Sequence, residues 1–235
     1  MIINRVFRAR RTDGESSKMK RWLPAMRDLV VMVVACSLFA TAARAQAVAD
    51  YCGDVFTNAT GPFDYMNADD RTRTQTAGVP IVERIHFTPE IAGFLLPDND
   101  VLNNIDYTLR AVPNHHPALA AIARFDIEKN IPPRQRSAQC WFERAMRFRP
   151  EDGTVMQIYG NWLAKKGKSE EALAAYARAK EINPESPEVH YNMGLLYLRL
   201  GQYEKAVENA RVAYAGNYPL PGLRRKLAEK GYPLE

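Results

Sequence analysis

The C-terminal half of this 235-residue chain is similar to itself when it is shifted by 34 residues. The shift aligns Gly160 with Gly194 and Gly167 with Gly201. It also aligns Val155 with Val189, Glu170 with Glu204, Ala172 with Ala206, Ala179 with Ala213, and Asn183 with Asn217. A fixed period of roughly 20–50 residues is typical of proteins built from stacked supersecondary units. The chain is therefore predicted to contain a helical repeat array and not a generic helical bundle.

Small residues recur within each period at positions that suit close helix packing. Gly160 and Gly194 are predicted to lie where the two helices of one unit cross, because a larger side chain would push the helices apart. The same close approach is predicted from the second helices for Ala172, Ala179, Ala206 and Ala213. Gly167 and Gly201 follow the first helices and are predicted to adopt the left-handed conformation favoured after a helix end. Pro184 ends a second helix because proline has no amide donor.

Two units of the array closely resemble tetratricopeptide repeats (TPRs), which have this period. The first, residues 153–186, reads Met156-x-x-Tyr159-Gly160-x-x-Leu163 and then Ala172-x-x-x-Tyr176-x-x-Ala179, closed by Pro184. The second, residues 187–220, reads His190-x-x-Met193-Gly194-x-x-Tyr197, with Ala206 and Ala213 in its second helix. The resemblance implies an all-α superhelix of helix–turn–helix units.

The flanking segments continue the pattern less faithfully. Residues 117–152 are predicted to form a degenerate repeat, because Ala138-x-x-x-Phe142-x-x-Ala145 reproduces a second helix. In its first helix, Phe125-Asp126 stands where a small residue is expected. Residues 221–235 are predicted to form the polar capping helix that a terminal repeat needs.

Residues 46–116 do not repeat and are predicted to form a short irregular extension packed on the array. Thr88-Pro89-Glu90 is typical of a helix start, which predicts a short helix as far as Leu96. Residues 105–112 fit either a strand or a helix. This segment resembles no family.

Residues 1–45 are predicted to be a signal peptide, cleaved after Ala45 or, as a second choice, after Ala47. A basic stretch precedes a short apolar core and the small residues Ala43 and Ala45, which is typical of secretory signals. The brief alanine-rich leader suggests a bacterial protein, and so a periplasmic location. A start at Met19 gives a more compact leader and is favoured over Met1, and Cys36 offers a less favoured lipid-anchor site.

The basic leader also explains the formal net charge of +5. Residues 1–45 contain nine of the 32 basic and three of the 27 acidic residues, so 23 basic and 24 acidic residues remain from position 46 onward. A chain so close to neutrality has no electrostatic footprint for phosphates. Nucleic acid is therefore not expected as a partner.

Removal of the leader leaves two cysteines, Cys52 and Cys140. An even number in an oxidising compartment predicts a disulfide. The bridge would join the extension to the second helix of the degenerate repeat. The alternative is that Cys140 packs as a small apolar residue.

No sequence motif indicates catalysis, a cofactor or a metal. Glycine-rich phosphate loops, dinucleotide fingerprints, nucleophile elbows and Cys-x-x-Cys motifs are absent from the sequence. His115 and His116 are adjacent and lack the spacing of metal ligands, and one of them is expected to cap a helix or bond to the backbone. Asp64 with Glu83 or Asp106 could form a hydrolase pair, but no motif brings these carboxylates together.

The TPR resemblance implies a protein scaffold that binds a protein or peptide on the concave face of its first helices. The predicted binding residues are Gln157, Asn161, Asn192, Leu195, Arg199 and Lys226, with Lys165 and Glu188 on the same face. Some TPR proteins clamp a partner's terminal carboxylate with asparagine and basic residues. Asn161, Asn192 and Lys226 match that pattern, whereas Gln157 and Gly222 depart from it. The alternatives are a small enzyme or ligand-binding module in residues 46–116 with the array as a docking handle, and a membrane-tethered envelope assembly factor.

Overall fold

The chain folds as a succession of helices in a computed structural model that describes residues 53–58, 60–73, 77–129 and 137–234. The predicted signal peptide and Cys52 lie outside these residues. Eleven helices, and no strands, are found within them. They are α1 (Ala68–Thr72), α2 (Val79–His86), α3 (Pro89–Ala92), α4 (Asp98–Ala111), α5 (His116–Lys129), α6 (Ala138–Phe148), α7 (Gly153–Lys165), α8 (Ser169–Ile182), α9 (Pro187–Arg199), α10 (Tyr203–Ala215) and α11 (Gly222–Glu229).

Local sequence sets where the repeat helices begin and end. Asp152 caps α7 by accepting from the backbone N–H groups of Thr154 and Val155, and Ser186 caps α9 by accepting from that of Val189. Such caps satisfy amide donors that have no partner inside the helix. After α7 and α9 the chain turns at Gly167 (φ 79°) and Gly201 (φ 73°). The predicted left-handed turns are confirmed.

The two predicted full repeats are the antiparallel pairs α7–α8 and α9–α10. A Cβ atom added to Gly160 would lie 2.6 Å from the ring of Tyr176 in α8. One added to Gly194 would lie 2.5 Å from Leu223 in α11 and 3.4 Å from the carbonyl oxygen of Ala206 in α10. Both glycines therefore permit close helix contacts as predicted, but Gly194 serves the following helix as well as its own repeat.

The degenerate repeat consists of α5 and α6. Counted from the residue that caps the first helix, Ala123 in α5 occupies the place of Gly160 in α7, and it is buried. The caps His115 and Asp152 are 37 residues apart, not 34, and the connection between α5 and α6 is longer than that between α7 and α8. The prediction that Phe125-Asp126 replaces the small residue is thus wrong by three positions, because the insertion shifts the register.

The extension is more regular than predicted, because its ambiguous segment belongs to the long helix α4. Val101, Ile105 and Thr108 in α4 are fully buried, with the spacing of Ala138, Phe142 and Ala145 in α6. Pro113 follows Thr108 by five residues, as Pro150 follows Ala145. Since α4 packs on α5, it acts as the second helix of a preceding repeat whose first helix is replaced by α2 and α3.

The helix predicted to reach Leu96 ends at Ala92. Phe94 adopts a left-handed conformation (φ 60°), which breaks the helix, and its ring packs edge-on against Phe125 at 5.0 Å. Arg124 lies over the Phe94 ring at 4.0 Å and donates to the Ala92 carbonyl oxygen at 2.6 Å. This contact holds the extension against α5.

The predicted capping helix is α11. Leu223 and Leu227 are fully buried against α9 and α10, whereas Arg224, Arg225 and Lys226 are exposed. The apolar stripe of α11 therefore covers the end of the hydrophobic core, and its basic face is exposed to solvent. None of the helices in the described residues is long and apolar enough to span a membrane.

Candidate functional site

The first helices α5 and α7 line a cavity of about 620 Å³, here called the groove. Its other walls are Phe87 and Ala92 from the extension and Glu188 at the start of α9. The residues contributed by α5 are His116, Pro117, Ala120, Ala121, Ala123, Arg124 and Ile127. Those contributed by α7 are Thr154, Gln157, Ile158, Asn161, Trp162 and Lys165. The groove is thus apolar at its base and carries amide and charged groups from α7, α5 and α9.

The structure brings part of the predicted binding set to this groove. Gln157 and Asn161 line it, together with Lys165 and Glu188. The other four predicted residues do not line this cavity; they are Asn192, Leu195, Arg199 and Lys226.

Those four residues have different surroundings. Leu195 packs on the apolar cluster around Tyr191. The Arg199 guanidinium donates to the carbonyl oxygen of Ala164 at the end of α7, at 2.8 Å. Asn192 is half-buried on α9, and Lys226 is exposed on α11. Arg199 therefore has a structural contact that sequence reasoning did not anticipate.

Sequence reasoning also missed the contribution of α5. Counted from the helix caps, Ala120 occupies the place of Gln157, and Arg124 that of Asn161. The sequence could have indicated these two groove positions, but only if α5 and α7 were aligned with the 37-residue offset between His115 and Asp152. Ala120 is exposed in the groove, which leaves room there for a ligand side chain.

The two groove amides differ in their hydrogen bonding. The Tyr176 hydroxyl donates to Asn161 Oδ1 at 2.7 Å, and burial raises the Tyr176 pKa far above its ordinary value, so that the hydroxyl stays protonated. Gln157 is 7% exposed, and its side chain forms no hydrogen bond with any residue that the structure describes. It also borders a second cavity of about 150 Å³.

A polar network joins the N-termini of α5 and α7 beside the groove. The buried carboxylate of Asp152 accepts from His116 Nε2 at 2.8 Å and from Asn114 Nδ2 at 3.1 Å. Asn114 also donates to Asp64 at 2.8 Å and accepts from the backbone N–H of Tyr65 at 2.9 Å. Burial opposes ionisation of Asp152, but the hydrogen bond and charge of His116 and the hydrogen bond from Asn114 outweigh it and lower its pKa.

His115 confirms the expectation that one of the paired histidines bonds to the backbone. Its Nδ1 accepts from the N–H of Ala118 at 3.1 Å, which caps α5. Nε2 therefore carries the proton and donates to Glu83 Oε1 at 3.0 Å. Burial lowers the His115 pKa despite the neighbouring Glu83 carboxylate. The imidazole is thus a neutral structural cap.

The three carboxylates considered as a hydrolase pair bind other groups. Asp64 pairs with Arg149 at 3.0 Å, Glu83 with His115 at 3.0 Å, and Asp106 with Arg110 at 2.8 Å. Within the described residues, no group of three or more histidine, cysteine and acidic side chains could hold a metal ion. The groove is therefore the candidate site.

The predicted disulfide concerns one residue inside and one outside the described part of the chain. Cys140 is buried in α6 and is disulfide-bonded. Because Cys52 lies outside the described residues, its pairing with Cys140 stays a prediction.

Antiparallel helix pairs that stack at a near-constant period, with a groove along their first helices, define a helical-repeat protein. The model of the TPR repeat matches residues 160–201, from the packing glycine of α7 to the turn glycine after α9. The chain thus contains tetratricopeptide repeats, as the sequence resemblance predicted. TPRs imply a scaffold for protein–protein interaction.

Curated proteins match about a third of the chain. The peroxisomal targeting signal receptor of Candida albicans is 34% identical over 68 residues, which are 29% of this chain and 12% of that protein. The BBSome complex member BBS4 of Bos taurus is 36% identical over 72 residues, which are 31% of this chain and 14% of that protein. The chain therefore spans about an eighth of the length of these relatives.

A solved structure extends the likeness of fold beyond the matched repeats. The structure of pilF from Pseudomonas aeruginosa aligns with a TM-score of 0.51 at 21% identity. The alignment covers 64% of this chain and 68% of pilF. At this identity the likeness concerns the fold alone.

Proposed function

We propose that this protein is an adaptor that binds a segment of a partner protein in the groove between α5 and α7, and that it is not an enzyme. The observation that carries the proposal is the groove itself, about 620 Å³ in volume, with small side chains at Ala120 and Ala121 and amides at Gln157 and Asn161. Concave sites with an apolar lining and a few polar groups are typical binding sites.

The relatives support recognition of a partner protein through a short segment of its chain. One is named as a receptor for a peroxisomal targeting signal. Only a small part of that protein is covered, so the resemblance supports the mode of binding and not the identity of the partner.

The groove is tested by filling it. Ala120 is exposed and lines the groove, so Ala120→Trp should occupy the space without disturbing the helix core. Peptides are first selected on the wild-type chain from a display library of random short peptides. We expect Ala120→Trp to weaken binding of the selected peptides at least about tenfold, measured by titration calorimetry.

The matched control is Ala174→Trp, because Ala174 is an exposed alanine of α8 that does not line the groove. This variant should bind the peptides as the wild type does. Equal affinity of both variants and the wild type would contradict binding in the groove. Failure to select any peptide would contradict the adaptor function.

The proposed place of action is the periplasm. Support comes from the basic stretch, the short apolar core and the small residues Ala43 and Ala45, all outside the described residues. We expect protein recovered from the periplasmic fraction to begin at Gln46, as measured by N-terminal sequencing. A diacylglyceryl group on Cys36 or an uncleaved Met1 would contradict the proposal.

A further inference from the structure

A small cavity in the extension, here called the cleft, lies between α4 and the described residues that precede Gly61. Its volume is about 220 Å³. The residues that line it are Thr57, Asn58, Thr60, Tyr107, Arg110 and Ala111, and none of them lines the groove. The cleft is smaller than the sites that hold drug-sized ligands. It therefore suits a ligand no larger than a single small ring with its substituents.

Two side chains of the cleft present hydrogen-bond acceptors. The Thr57 hydroxyl donates to the Asp54 carboxylate, so the lone pairs of its own oxygen are left to accept from a ligand. Asn58 Nδ2 donates to the carbonyl oxygen of Val55 at 3.1 Å, while Asn58 Oδ1 accepts from no residue that the structure describes. An internal hydrogen bond therefore fixes the orientation of each group before a ligand binds.

Thr60 supplies a donor beside an exposed aromatic ring. The Tyr107 hydroxyl donates to Thr60 Oγ1 at 3.3 Å, which leaves the hydrogen of the Thr60 hydroxyl for a ligand. The Tyr107 ring is 38% exposed, and one of its faces stacks on the His86 ring with the centroids 3.8 Å apart. The stack fixes the Tyr107 ring, whose exposed part offers an apolar surface to the C–H groups of a ligand.

Arg110 offers the charged contact of the cleft. Its Nε donates to Asp106 Oδ2 at 2.8 Å, whereas Nη1 and Nη2 donate to none of the residues in the described part of the chain. These two nitrogens form a planar fork that matches the two oxygens of a carboxylate. Because the Asp106 side chain is largely buried, the contact with it holds the fork in place.

Positive charge is crowded on the side of the cleft where α4 faces α6. Burial lowers the pKa of the Arg144 guanidinium, and the charges of Arg110 and Arg147 lower it further. Asp106 and Asp54 oppose this effect, but each raises the pKa by less than either arginine lowers it. A bound anion would relieve this repulsion between like charges.

We propose that the cleft binds an acidic sugar, that is, a sugar residue that carries a carboxylate. The Arg110 fork binds the carboxylate, and the ring hydroxyls donate to Thr57 and Asn58 and accept from Thr60. A hydroxyl both donates and accepts, so a sugar matches this mixed lining, whereas a simple anion such as acetate only accepts. The site gives the protein a second binding function, attachment to an acidic glycan, that does not depend on the groove.

The test is a titration of the purified protein with D-glucuronate, followed by two-dimensional NMR of the backbone amides. At the usual ligand efficiency, a ligand of this size binds with a Kd of about 1 mM. We expect the amide signals of Thr57, Asn58 and Thr60 to shift and to saturate. D-glucose has the ring without the carboxylate, and acetate has the carboxylate without the ring. Each should bind at least about tenfold more weakly than D-glucuronate.

Variants of the cleft test the individual contacts. Arg110→Lys keeps the charge and the pairing with Asp106 but loses the fork, so its affinity for D-glucuronate should fall about tenfold. Thr60→Val keeps the shape of the side chain and removes the donor, which should cost about threefold in affinity. Arg84→Lys, at an exposed arginine that does not line the cleft, is the matched control and should bind as the wild type does. Ala120→Trp should also leave this affinity unchanged, because Ala120 belongs to the groove.

Three results of these titrations would overturn the proposal. Equal affinity for D-glucose and D-glucuronate would show that the carboxylate contributes nothing. Equal affinity for acetate and D-glucuronate would show that the cleft recognises a simple anion and not a sugar. The third result is the absence of any shift of the cleft amides at about ten times the expected Kd. All three are measured on the wild type, so they hold even where a variant fails to fold, and none of them bears on peptide binding in the groove.

Discussion

Replacement of Asp152 by alanine should destabilise the protein by about 4 kcal/mol in urea unfolding. The carboxylate is fully buried and caps α7 through Thr154 and Val155. It also accepts from His116 and Asn114. Alanine would remove the cap and leave two buried or half-buried donors without this acceptor. The loss therefore exceeds that of an ordinary helix cap.

Two matched variants divide this effect into its parts. Ser186 caps α9 through Val189 and has no comparable network, so Ser186→Ala should cost only about 1 kcal/mol. Asparagine also caps helices well, so Asp152→Asn should lose chiefly the charged hydrogen bonds, about 2 kcal/mol. Equal losses for Asp152→Ala and Ser186→Ala would show that the network adds nothing to the cap.

The pH dependence of stability provides a second measurement for the same carboxylate. The pKa of Asp152 in the folded chain lies below its ordinary value, so the folded state favours the charged form. Its contribution is complete above the unfolded pKa of about 3.9 and is lost as the pH falls through the folded pKa. The difference in unfolding free energy between wild type and Asp152→Asn should therefore shrink as the pH falls below about 4.

The repeats could be predicted because close helix packing leaves a direct mark in the sequence. A Cβ atom at Gly160 or Gly194 would lie 2.6 or 2.5 Å from a neighbouring side chain, and the spacing of the two glycines is fixed by the period of the array. Gly167 and Gly201 mark the turns for a different steric reason, because both adopt a positive φ that other residues rarely adopt. Steric requirements of this kind restrict residue type at one position and are visible without any knowledge of distant contacts.

The extension could not be predicted in the same way, because distant residues determine its structure. The left-handed conformation of Phe94 ends α3, and the Phe94 ring packs against that of Phe125. The ring of Tyr65 lies against those of His115 and His116. No local sequence pattern predicts these contacts. The buried positions Val101, Ile105 and Thr108 did carry the spacing of a second helix, but without the alanines that make this pattern easy to see in α6, α8 and α10.

Only part of the groove lining could be predicted from the sequence, for a related reason. Gln157 and Asn161 could be predicted because amides on the inward face of a first helix have an evident binding chemistry. Ala120 has no such chemistry, and its importance comes from the space that it leaves in the groove. The sequence could not assign Arg199 a role, because a cation near the end of a helix can bind either a ligand or a neighbouring carbonyl group. Here Arg199 binds the carbonyl oxygen of Ala164.

Replacement of Gly160 by alanine should destabilise the protein by about 2 kcal/mol, although alanine is the better helix former. The new Cβ would lie 2.6 and 2.7 Å from two ring carbons of Tyr176. That ring is buried and its hydroxyl is held by Asn161, so it cannot move aside without breaking a hydrogen bond. The gain in helix propensity is about 1 kcal/mol and is smaller than the cost of forcing α7 away from α8.

Gly194→Ala is the matched control for this steric argument. Its nearest atom is a terminal methyl carbon of Leu223 at 2.5 Å, and the Ala206 carbonyl oxygen is at an ordinary 3.4 Å. A leucine methyl can move by rotation of its side chain, so the gain in helix propensity should nearly cancel the strain, with a net change within about 0.5 kcal/mol. Urea unfolding of both variants measures the difference. If the two alanine variants are equally stable, the rigid Tyr176 ring does not set the spacing of α7 and α8.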